Sequence, residues 1–255
     1  MRIRCVIADP AGNLTAFALT PVTPELRAQA GAALMRAAKA EQAAFVDEAS
    51  LFSELPRMDM MGGEFCGNAT RAFAFYAAKR RNLGETALRV SVSGAKEPVS
   101  VALDARKGRA YADMPLPVAL ECIRVAGREV SVVRMEGIAH AVLEDTPPSP
   151  ELAREVLRAM PPEDAQGVLF AQGTRMTPLV HVAATGTSVW ESSCGSGSVA
   201  LAWLLAQKLP DGAHAFAFDE PGGTLEVRAV KRAGYVVSAA MGGRVTLGGE
   251  TEIEI

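Results

Sequence analysis

The chain has 255 residues, a length that suits one large domain or two domains of moderate size. It carries 26 basic and 29 acidic residues without a long Lys/Arg block, so we expect no nucleic-acid-binding face. Hydrophobic residues make up 49% and charged residues 22%, which excludes disorder as the main state. The N-terminus lacks the apolar stretch of a signal peptide, and no apolar run is long enough to cross a bilayer. We therefore expect a cytoplasmic protein without a membrane partner.

The first half of the chain predicts short strands, an Ala-rich helix and a more apolar helix. The Ala-rich helix begins at Thr23-Pro24, a capping hydroxyl followed by proline in the first turn, and runs to about Ala40. The second helix follows Cys66 and extends through Lys79. Strands are predicted over 3–8, 14–19, 44–46, 57–60, 88–92, 99–103 and 110–114.

After Pro115 and Pro117 a similar pattern starts again. A short helix is predicted over 150–160, where Pro161 stops it, and another over 195–208. Four more short strands are expected after this last helix. The earlier strands of this half are predicted over 121–125, 128–135, 139–143, 168–171, 179–183 and 188–190.

The most informative feature is a weak internal repeat. Cys66-Gly67 and Cys194-Gly195 each precede small polar residues and then a helix that is apolar nearly all round, which is typical of a buried helix. The two motifs lie about half the chain length apart. The repeat predicts two similar α+β domains, one over 1–116 with a return strand from 243–255, and one over 117–242.

A cysteine directly before a helix meets unpaired N–H groups and the positive end of the helix dipole. Both favour the thiolate, so we predict a lowered pKa at Cys66 and at Cys194. Gly67 and Gly195 would let a carboxylate approach the backbone closely. The neighbouring polar side chains are Asn68, Thr70, Ser196 and Ser198.

Two such sulfurs on opposite faces of one α-carbon would support two-base racemisation, in which one thiolate removes the α-proton and the other thiol returns a proton. N–H groups at the carboxylate would stabilise the developing charge, and pyridoxal phosphate would not be required. Cys5 and Cys122 lie in apolar, strand-like runs and are predicted to be inert core residues. With three histidines and no Cys-x-x-Cys pair, we expect no metal site.

The motifs resemble those of the diaminopimelate epimerase-like superfamily. Glu64-Phe65-Cys66-Gly67-Asn68 is similar to its first cysteine motif and Ser193-Cys194-Gly195-Ser196-Gly197 to its second. The Trp-Glu-Ser-Ser approach to Cys194 also resembles that of proline racemases. Further landmarks follow in family order: Ala11-Gly12-Asn13, Glu41-Gln42, Gly137-Ile138-Ala139-His140 and Pro221-Gly222-Gly223.

The resemblance implies two pseudo-symmetric domains, each a β-barrel-like sheet wrapped around a central helix, with the active site in the cleft between them. It also implies that the last strand returns to the first domain, which Arg244 to Leu247 would supply, and that the protein forms a homodimer. Cys66 and Cys194 would be catalytic, with no cofactor. The residues expected to bind a small amino-acid substrate are Asn13, Glu41, Gln42, Gly67, Asn68, Glu191, Gly195 and Ser196.

Departures from the superfamily pattern bear on the substrate. Ile138 and Gly167 stand where diaminopimelate epimerases place two Asn residues, and Ala184-Thr185-Gly186 stands where they place a Glu-Arg pair. A polar distal group would be left unpaired, so diaminopimelate should bind poorly. The remaining carboxylates suit an imidazole side chain. The pattern is therefore similar to the histidine racemases of opine-type metallophore biosynthesis, such as that of staphylopine.

Other interpretations remain open. The enzyme could be a diaminopimelate epimerase with an altered pocket, a racemase of another amino acid, or a phenazine-type isomerase, although the last characteristically lacks the cysteine pair. A non-enzymatic metal or redox protein is a further alternative.

Several residues also have alternative structural roles. Glu41 could end a helix in solvent, and Asn13 could be only a turn residue. Glu191 could position the Cys194 loop. His140 is expected to be a satisfied core histidine rather than a base, and Arg71 to fix the start of its helix.

Overall fold

The structure, a computed structural model, describes all residues 1–255. The first part of the chain folds as seven strands and two helices, with a 3-10 turn at Glu48–Ser50. In chain order these are β1 (Arg2–Asp9), β2 (Thr15–Ala18), α1 (Pro24–Ala38), β3 (Gln42–Asp47), β4 (Arg57–Met60), α2 (Gly67–Arg80), β5 (Glu85–Val92), β6 (Val99–Asp104) and β7 (Arg109–Met114).

The rest of the chain adds eleven strands and two helices. They are β8 (Ala119–Val125), β9 (Arg128–Met135), β10 (Ile138–Glu144), α3 (Pro150–Ala159), β11 (Ala165–Gln172), β12 (Arg175–Val182), β13 (Thr187–Trp190), α4 (Gly195–Gln207), β14 (Gly212–Glu220), β15 (Gly223–Arg232), β16 (Tyr235–Arg244), β17 (Thr246–Leu247) and β18 (Thr251–Glu254). The predicted α+β class is confirmed. The prediction of four short strands after α4 is wrong, because β14, β15 and β16 each span nine or ten residues and two further strands follow.

The chain forms two compact units, Met1–Asp113 with Gly242–Ile255, and Met114–Met241. Unit 1 is built around α2, whose residues from Gly67 to Ala78 are all buried. The helix is Ala-rich and ends with Lys79 and Arg80, which complement the negative end of the helix dipole. Phe73 on α2 packs edge-on against Phe17 of β2, with ring centroids 6.2 Å apart.

The last residues of the chain complete the sheet of unit 1, as the return segment predicted from Arg244 to Leu247 requires. β17 pairs antiparallel with β1, with Leu247 opposite Ala8. β18 also pairs antiparallel with β1, with Ile253 opposite Ile3. The other edge of β1 pairs antiparallel with β2, so β1 is a central strand.

Unit 2 has α4 as its buried helix, in contact with strands β9, β10, β14 and β15. Its C-terminal end is stabilised by Lys231 of β15, whose Nζ donates to the carbonyl oxygens of Gln207 and Leu209 at 2.8 Å. The amphipathic α3 packs against β8 and β11 through its buried Ala153 and Val156. None of the chain's helices combines the length and apolar character that crossing a membrane demands.

Candidate active site

Cys66 occupies the N-cap position of α2, with extended backbone angles (φ −129°, ψ 114°). Its Sγ accepts a hydrogen bond from the Ala69 N–H at 3.4 Å, and its carbonyl accepts one from the Thr70 N–H at 2.9 Å. The sulfur thus takes the place that a Ser or Asp oxygen usually fills at a helix start.

Cys194 caps α4 with nearly the same geometry (φ −124°, ψ 103°). Its Sγ accepts from the Gly197 N–H at 3.4 Å, and its carbonyl accepts from the Ser198 N–H at 2.9 Å. The predicted position of both cysteines directly before a buried helix is confirmed, and the sequence repeat corresponds to a repeated structural motif.

In unit 1, strand pairing brings the Gly-Asn turn beside the Glu-Gln pair. β2 and β3 run parallel, and the N–H groups of Glu41 and Gln42 both donate to the Leu14 carbonyl. Asn13 Nδ2 donates to Glu41 Oε2 at 2.9 Å, and the Cys66 thiol donates to Gln42 Oε1 at 3.0 Å. Four of the residues predicted for the site from the sequence therefore lie in one hydrogen-bonded group.

Asn68 and Arg71 are buried inside unit 1. Asn68 Oδ1 accepts from Arg71 Nε at 3.2 Å, and Arg71 Nη1 donates to the Arg244 carbonyl at 3.0 Å. Arg71 thus ties the first turn of α2 to the returning chain, in agreement with its predicted structural role. The role of Asn68 toward a substrate stays a prediction.

In unit 2, Cys194 lies at one end of a short polar chain that begins at His140 of β10. His140 Nε2 is 2.9 Å from Ser196 Oγ, which is 3.6 Å from Cys194 Sγ. His140 is fully buried, as predicted, but the expectation of a satisfied side chain is wrong for one atom, because Nδ1 has no hydrogen-bond partner. Burial lowers the pKa of His140 to about 4, so the imidazole is neutral at physiological pH.

Gly167 makes room for that imidazole. It lies opposite His140 in the parallel pairing of β10 and β11, and a Cβ at position 167 would be 2.1 Å from His140 Nδ1. Packing therefore requires glycine at position 167. This is a second consequence of Gly167, in addition to the missing polar contact to the substrate that was inferred from the sequence.

Glu220, which the sequence analysis did not single out, holds the Cys194 end of α4. The Cys194 N–H donates to Glu220 Oε2 at 2.7 Å, and the Ser198 hydroxyl donates to Oε1 at 2.5 Å. Glu220 ends β14, immediately before the Pro221-Gly222 turn, and the Gly222 N–H donates to the Ser192 carbonyl at 2.7 Å. The signal in the sequence was an acidic residue preceding the Pro-Gly-Gly landmark.

Glu191, half-buried, was predicted either to touch the substrate or to position the Cys194 loop. Its backbone N–H donates to the Pro178 carbonyl at 3.0 Å, which fixes the end of β13 against β12. The side chain that bonds directly to the Cys194 backbone is that of Glu220. Gly195 faces the Met241 methyl group, which a Cβ would approach to 2.6 Å, so a larger residue there would require the end of the flexible Met241 side chain to shift.

The predicted lowering of both thiol pKa values is wrong. Burial raises the pKa of Cys66, and this outweighs the N–H groups of Ala69 and Asn68 that favour its thiolate. Burial, followed by the charge of Glu220, raises the pKa of Cys194 to about 12. The helix start supplies donors as expected, but removal of the sulfur from water has the larger effect.

The two other cysteines differ from each other. Cys5 is fully buried in β1, as expected of an inert core residue. The prediction that Cys122 is a core residue is wrong, because it is exposed on β8. Residues of β8 alternate between its two faces, and position 122 falls on the solvent side.

Comparison with known proteins identifies the family. The sequence profile of the histidine racemase CntK N-terminal domain matches residues 2–253. The chain belongs to this family. A histidine racemase of Fusobacterium nucleatum is 32% identical over 185 residues, and the match covers 65% of this chain and 65% of that protein. The chain thus matches a little under two thirds of that relative's length.

Solved structures share the fold at low sequence identity. A probable proline racemase from Agrobacterium radiobacter has a TM-score of 0.67 and 13% identity, covering 99% of this chain and 93% of that one. A phenazine biosynthesis protein of the PhzF family from Enterococcus faecalis has a TM-score of 0.66 and 14% identity, with full coverage of both chains. At this identity the likeness establishes the fold alone, and it agrees with the superfamily expected from the two cysteine motifs.

Proposed function

We propose that this protein is a cofactor-independent amino-acid racemase that interconverts L- and D-histidine, with Cys66 and Cys194 as its two acid-base groups. The observation that carries the proposal is the repeated motif of a cysteine thiol at the N-cap of a buried helix, in a chain of the histidine racemase family.

In the proposed reaction the thiolate of one cysteine removes the α-proton of the substrate. The thiol of the other donates its proton to the opposite face of the same carbon, and the electron pair left by the broken C–H bond forms the new one. After one turnover the two sulfurs have exchanged protonation states. N–H groups at a helix start would bind the substrate carboxylate and stabilise the negative charge that develops on it.

Raised thiol pKa values suit this chemistry. The α-C–H of an amino acid is a very weak acid, so a sulfur that binds its proton more tightly is a stronger base for removing it. Burial raises the pKa of both cysteines, which makes each thiolate more basic once it forms. The cost is that the thiolate form is less populated.

The proposed preference for histidine rests on charge and on missing polar groups. Glu41 is an exposed carboxylate beside Asn13 and next to the Cys66 partner Gln42, where it can accept a hydrogen bond from an imidazole ring. Ile138 and Gly167 offer no side-chain amide for the distal amino-acid group of diaminopimelate. An unpaired buried polar group costs about 1–3 kcal/mol, so diaminopimelate should be a poor substrate.

An exchange screen in heavy water tests the proposal. Without added cofactor, L-histidine and D-histidine should each gain one α-deuterium and lose optical rotation, as followed by NMR and polarimetry. The screen should include the other L-amino acids and diaminopimelate. Exchange with none of these compounds would refute the racemase, and exchange with diaminopimelate alone would make the protein an epimerase.

The cellular setting is part of the same proposal. Free thiols at positions 66 and 194 require a reducing compartment, which favours the cytoplasm. We propose that the D-histidine is consumed in the synthesis of an opine-type metallophore and that the enzyme acts as a homodimer. A neighbouring pair of genes for a nicotianamine-synthase-like enzyme and an opine dehydrogenase would support the pathway, and sedimentation would measure the oligomeric state.

A further inference from the structure

Glu220 makes the surroundings of Cys194 unlike those of Cys66. Its side chain is buried, with 7% of the residue exposed, and its two oxygens accept from the N–H of Cys194 and the hydroxyl of Ser198. These donors lie at the start and at the end of the first turn of α4. One carboxylate thus spans the turn that presents the sulfur.

The equivalent turn of α2 is organised differently. Thr70, four residues after Cys66 as Ser198 is after Cys194, donates its hydroxyl to the Cys66 carbonyl at 2.7 Å. The side chain bonded to the Cys66 sulfur is the uncharged amide of Gln42, and the charge of Glu64 has the smallest of the effects on the pKa of Cys66. An amide can accept from a thiol through its oxygen and donate to a thiolate through its nitrogen, so Gln42 suits both protonation states.

We propose that Glu220 is a positioning residue that holds the Cys194 turn and keeps Cys194 in its thiol form. Of the two enzyme forms that carry one thiolate, the more populated one then has Cys66 as the base and Cys194 as the proton donor. The physical reason is that a buried negative charge next to Cys194 opposes a second negative charge on its sulfur. The same carboxylate fixes the direction of the Cys194 N–H and of the helix start.

In the form so favoured, Cys66 thiolate takes the α-proton and the Cys194 S–H bond breaks to supply the new proton. This leaves Cys66 as the thiol and Cys194 as the thiolate, a form that Glu220 makes less stable. Because the two enantiomers have equal free energies, their kcat/KM values must be equal. If the two protonation forms of the enzyme differ in population, kcat and KM both differ between the L- and D-substrate, and they differ by the same factor.

The first test measures thiol reactivity and does not depend on racemisation. Iodoacetamide alkylation of Cys66 and Cys194 would be timed at pH 8 by peptide mass spectrometry in the wild type, E220Q and S198A. Glu220→Gln removes the charge, so the Cys194 rate should rise about tenfold while the Cys66 rate stays within about twofold. Ser198→Ala removes one donor and keeps the charge, so the Cys194 rate should stay near that of the wild type.

Two outcomes would overturn the proposal: an unchanged Cys194 rate in E220Q, or equal acceleration of both cysteines, which would indicate loosened packing. Circular dichroism checks that the variants fold. If E220Q does not fold, Glu220→Asp provides the test, because it keeps the charge and shortens the reach. Slow Cys194 alkylation with weakened racemisation would then support the proposal, and fast Cys194 alkylation would refute it.

The assignment of donor and base rests on the proposed racemase function, and the two can fail separately. The kinetic test compares kcat and KM for both enantiomers, and E220Q should bring the L and D values closer together. If no amino acid exchanges its α-proton, the racemase proposal fails while the alkylation result still reports on Glu220. If exchange is normal and E220Q leaves alkylation and the L/D difference unchanged, only the role of Glu220 fails.

Discussion

The starts of α2 and α4 share one backbone arrangement and differ in what surrounds the sulfur. At each start a cysteine caps the helix, and its Sγ accepts from the N–H three residues later at 3.4 Å. Cys66 is half-buried and bonds to a neutral amide, whereas Cys194 is buried beside the Glu220 carboxylate and the His140–Ser196 pair. Local helix capping therefore positions each thiol, whereas the strands packed around the thiol determine its protonation state.

Replacing either capping cysteine should have the largest effect. Cys66→Ser and Cys194→Ser should each lower racemisation of histidine by about 1,000-fold or more, because each removes one of the two proton-transfer groups. Initial rates from both enantiomers, measured by chiral chromatography, check this expectation.

Cys122→Ser is the matched control, since Cys122 is exposed on β8 and lies outside both motifs. Its activity should equal that of the wild type. An equal loss in all three variants would point to a general folding or redox role for the thiols and would abolish the distinction drawn between the capping cysteines and the others.

The buried imidazole of unit 2 should contribute a pH-dependent stability that unit 1 does not share. Burial lowers the pKa of His140 from its ordinary 6.5 to about 4, so the unfolded chain takes up a proton in this range while the folded chain does not. The free energy of unfolding should fall by about 3 kcal/mol as the pH drops from 7 to 4, through this group alone.

Urea unfolding of the wild type and H140Q at several pH values measures that contribution. The loss of stability between pH 7 and pH 4 should be smaller in H140Q by about 3 kcal/mol. His181→Gln, at a hydrogen-bonded position nearer the surface, controls for the removal of one histidine. Equal pH slopes in the wild type and H140Q would show that the imidazole is not held neutral.

A Glu41 variant tests whether the residues around Cys66 recognise the substrate side chain. Glu41→Gln should raise the KM for histidine about 20-fold, the equivalent of a lost charge-assisted hydrogen bond, and change the KM for a short apolar amino acid much less. Steady-state kinetics on both substrates would measure the ratio.

Glu54→Gln serves as its control, because it neutralises another exposed carboxylate in unit 1, outside the hydrogen-bonded group around Cys66. A uniform rise of KM for every substrate in E41Q would assign Glu41 a structural role through Asn13 instead of a role in specificity.

Replacing Gln42 should have the smallest effect, and this effect should be confined to the reactivity of Cys66. Gln42→Leu removes the amide whose hydrogen bond lowers the pKa of Cys66, so less thiolate forms and alkylation of Cys66 should slow about fivefold while that of Cys194 stays unchanged. Peptide mass spectrometry resolves the two sites in one sample. An equal slowing of alkylation at Cys194 would contradict the proposal that different residues control the reactivity of the two thiols.

Features that depend on residues close together in the chain could be predicted from the sequence. A helix cap is an interaction between residues three positions apart, so the Cys-Gly motifs before apolar runs were enough to predict both capped helices. The α+β class and the proline-initiated helices were predicted from the sequence pattern, whereas the return of the chain near Leu247 was implied by the resemblance. These agree with the structure to within a few residues.

The environment of each thiol depends instead on residues that are distant in the chain. Glu220 reaches Cys194 from a strand that follows α4, and Gly167 admits His140 because β10 and β11 pair in one particular register. The pKa directions were predicted wrongly because helix donors can be read from the sequence, whereas burial depends on how distant strands enclose the sulfur. The exposure of Cys122 has the same cause, since the face of β8 that meets the core is fixed by its partners.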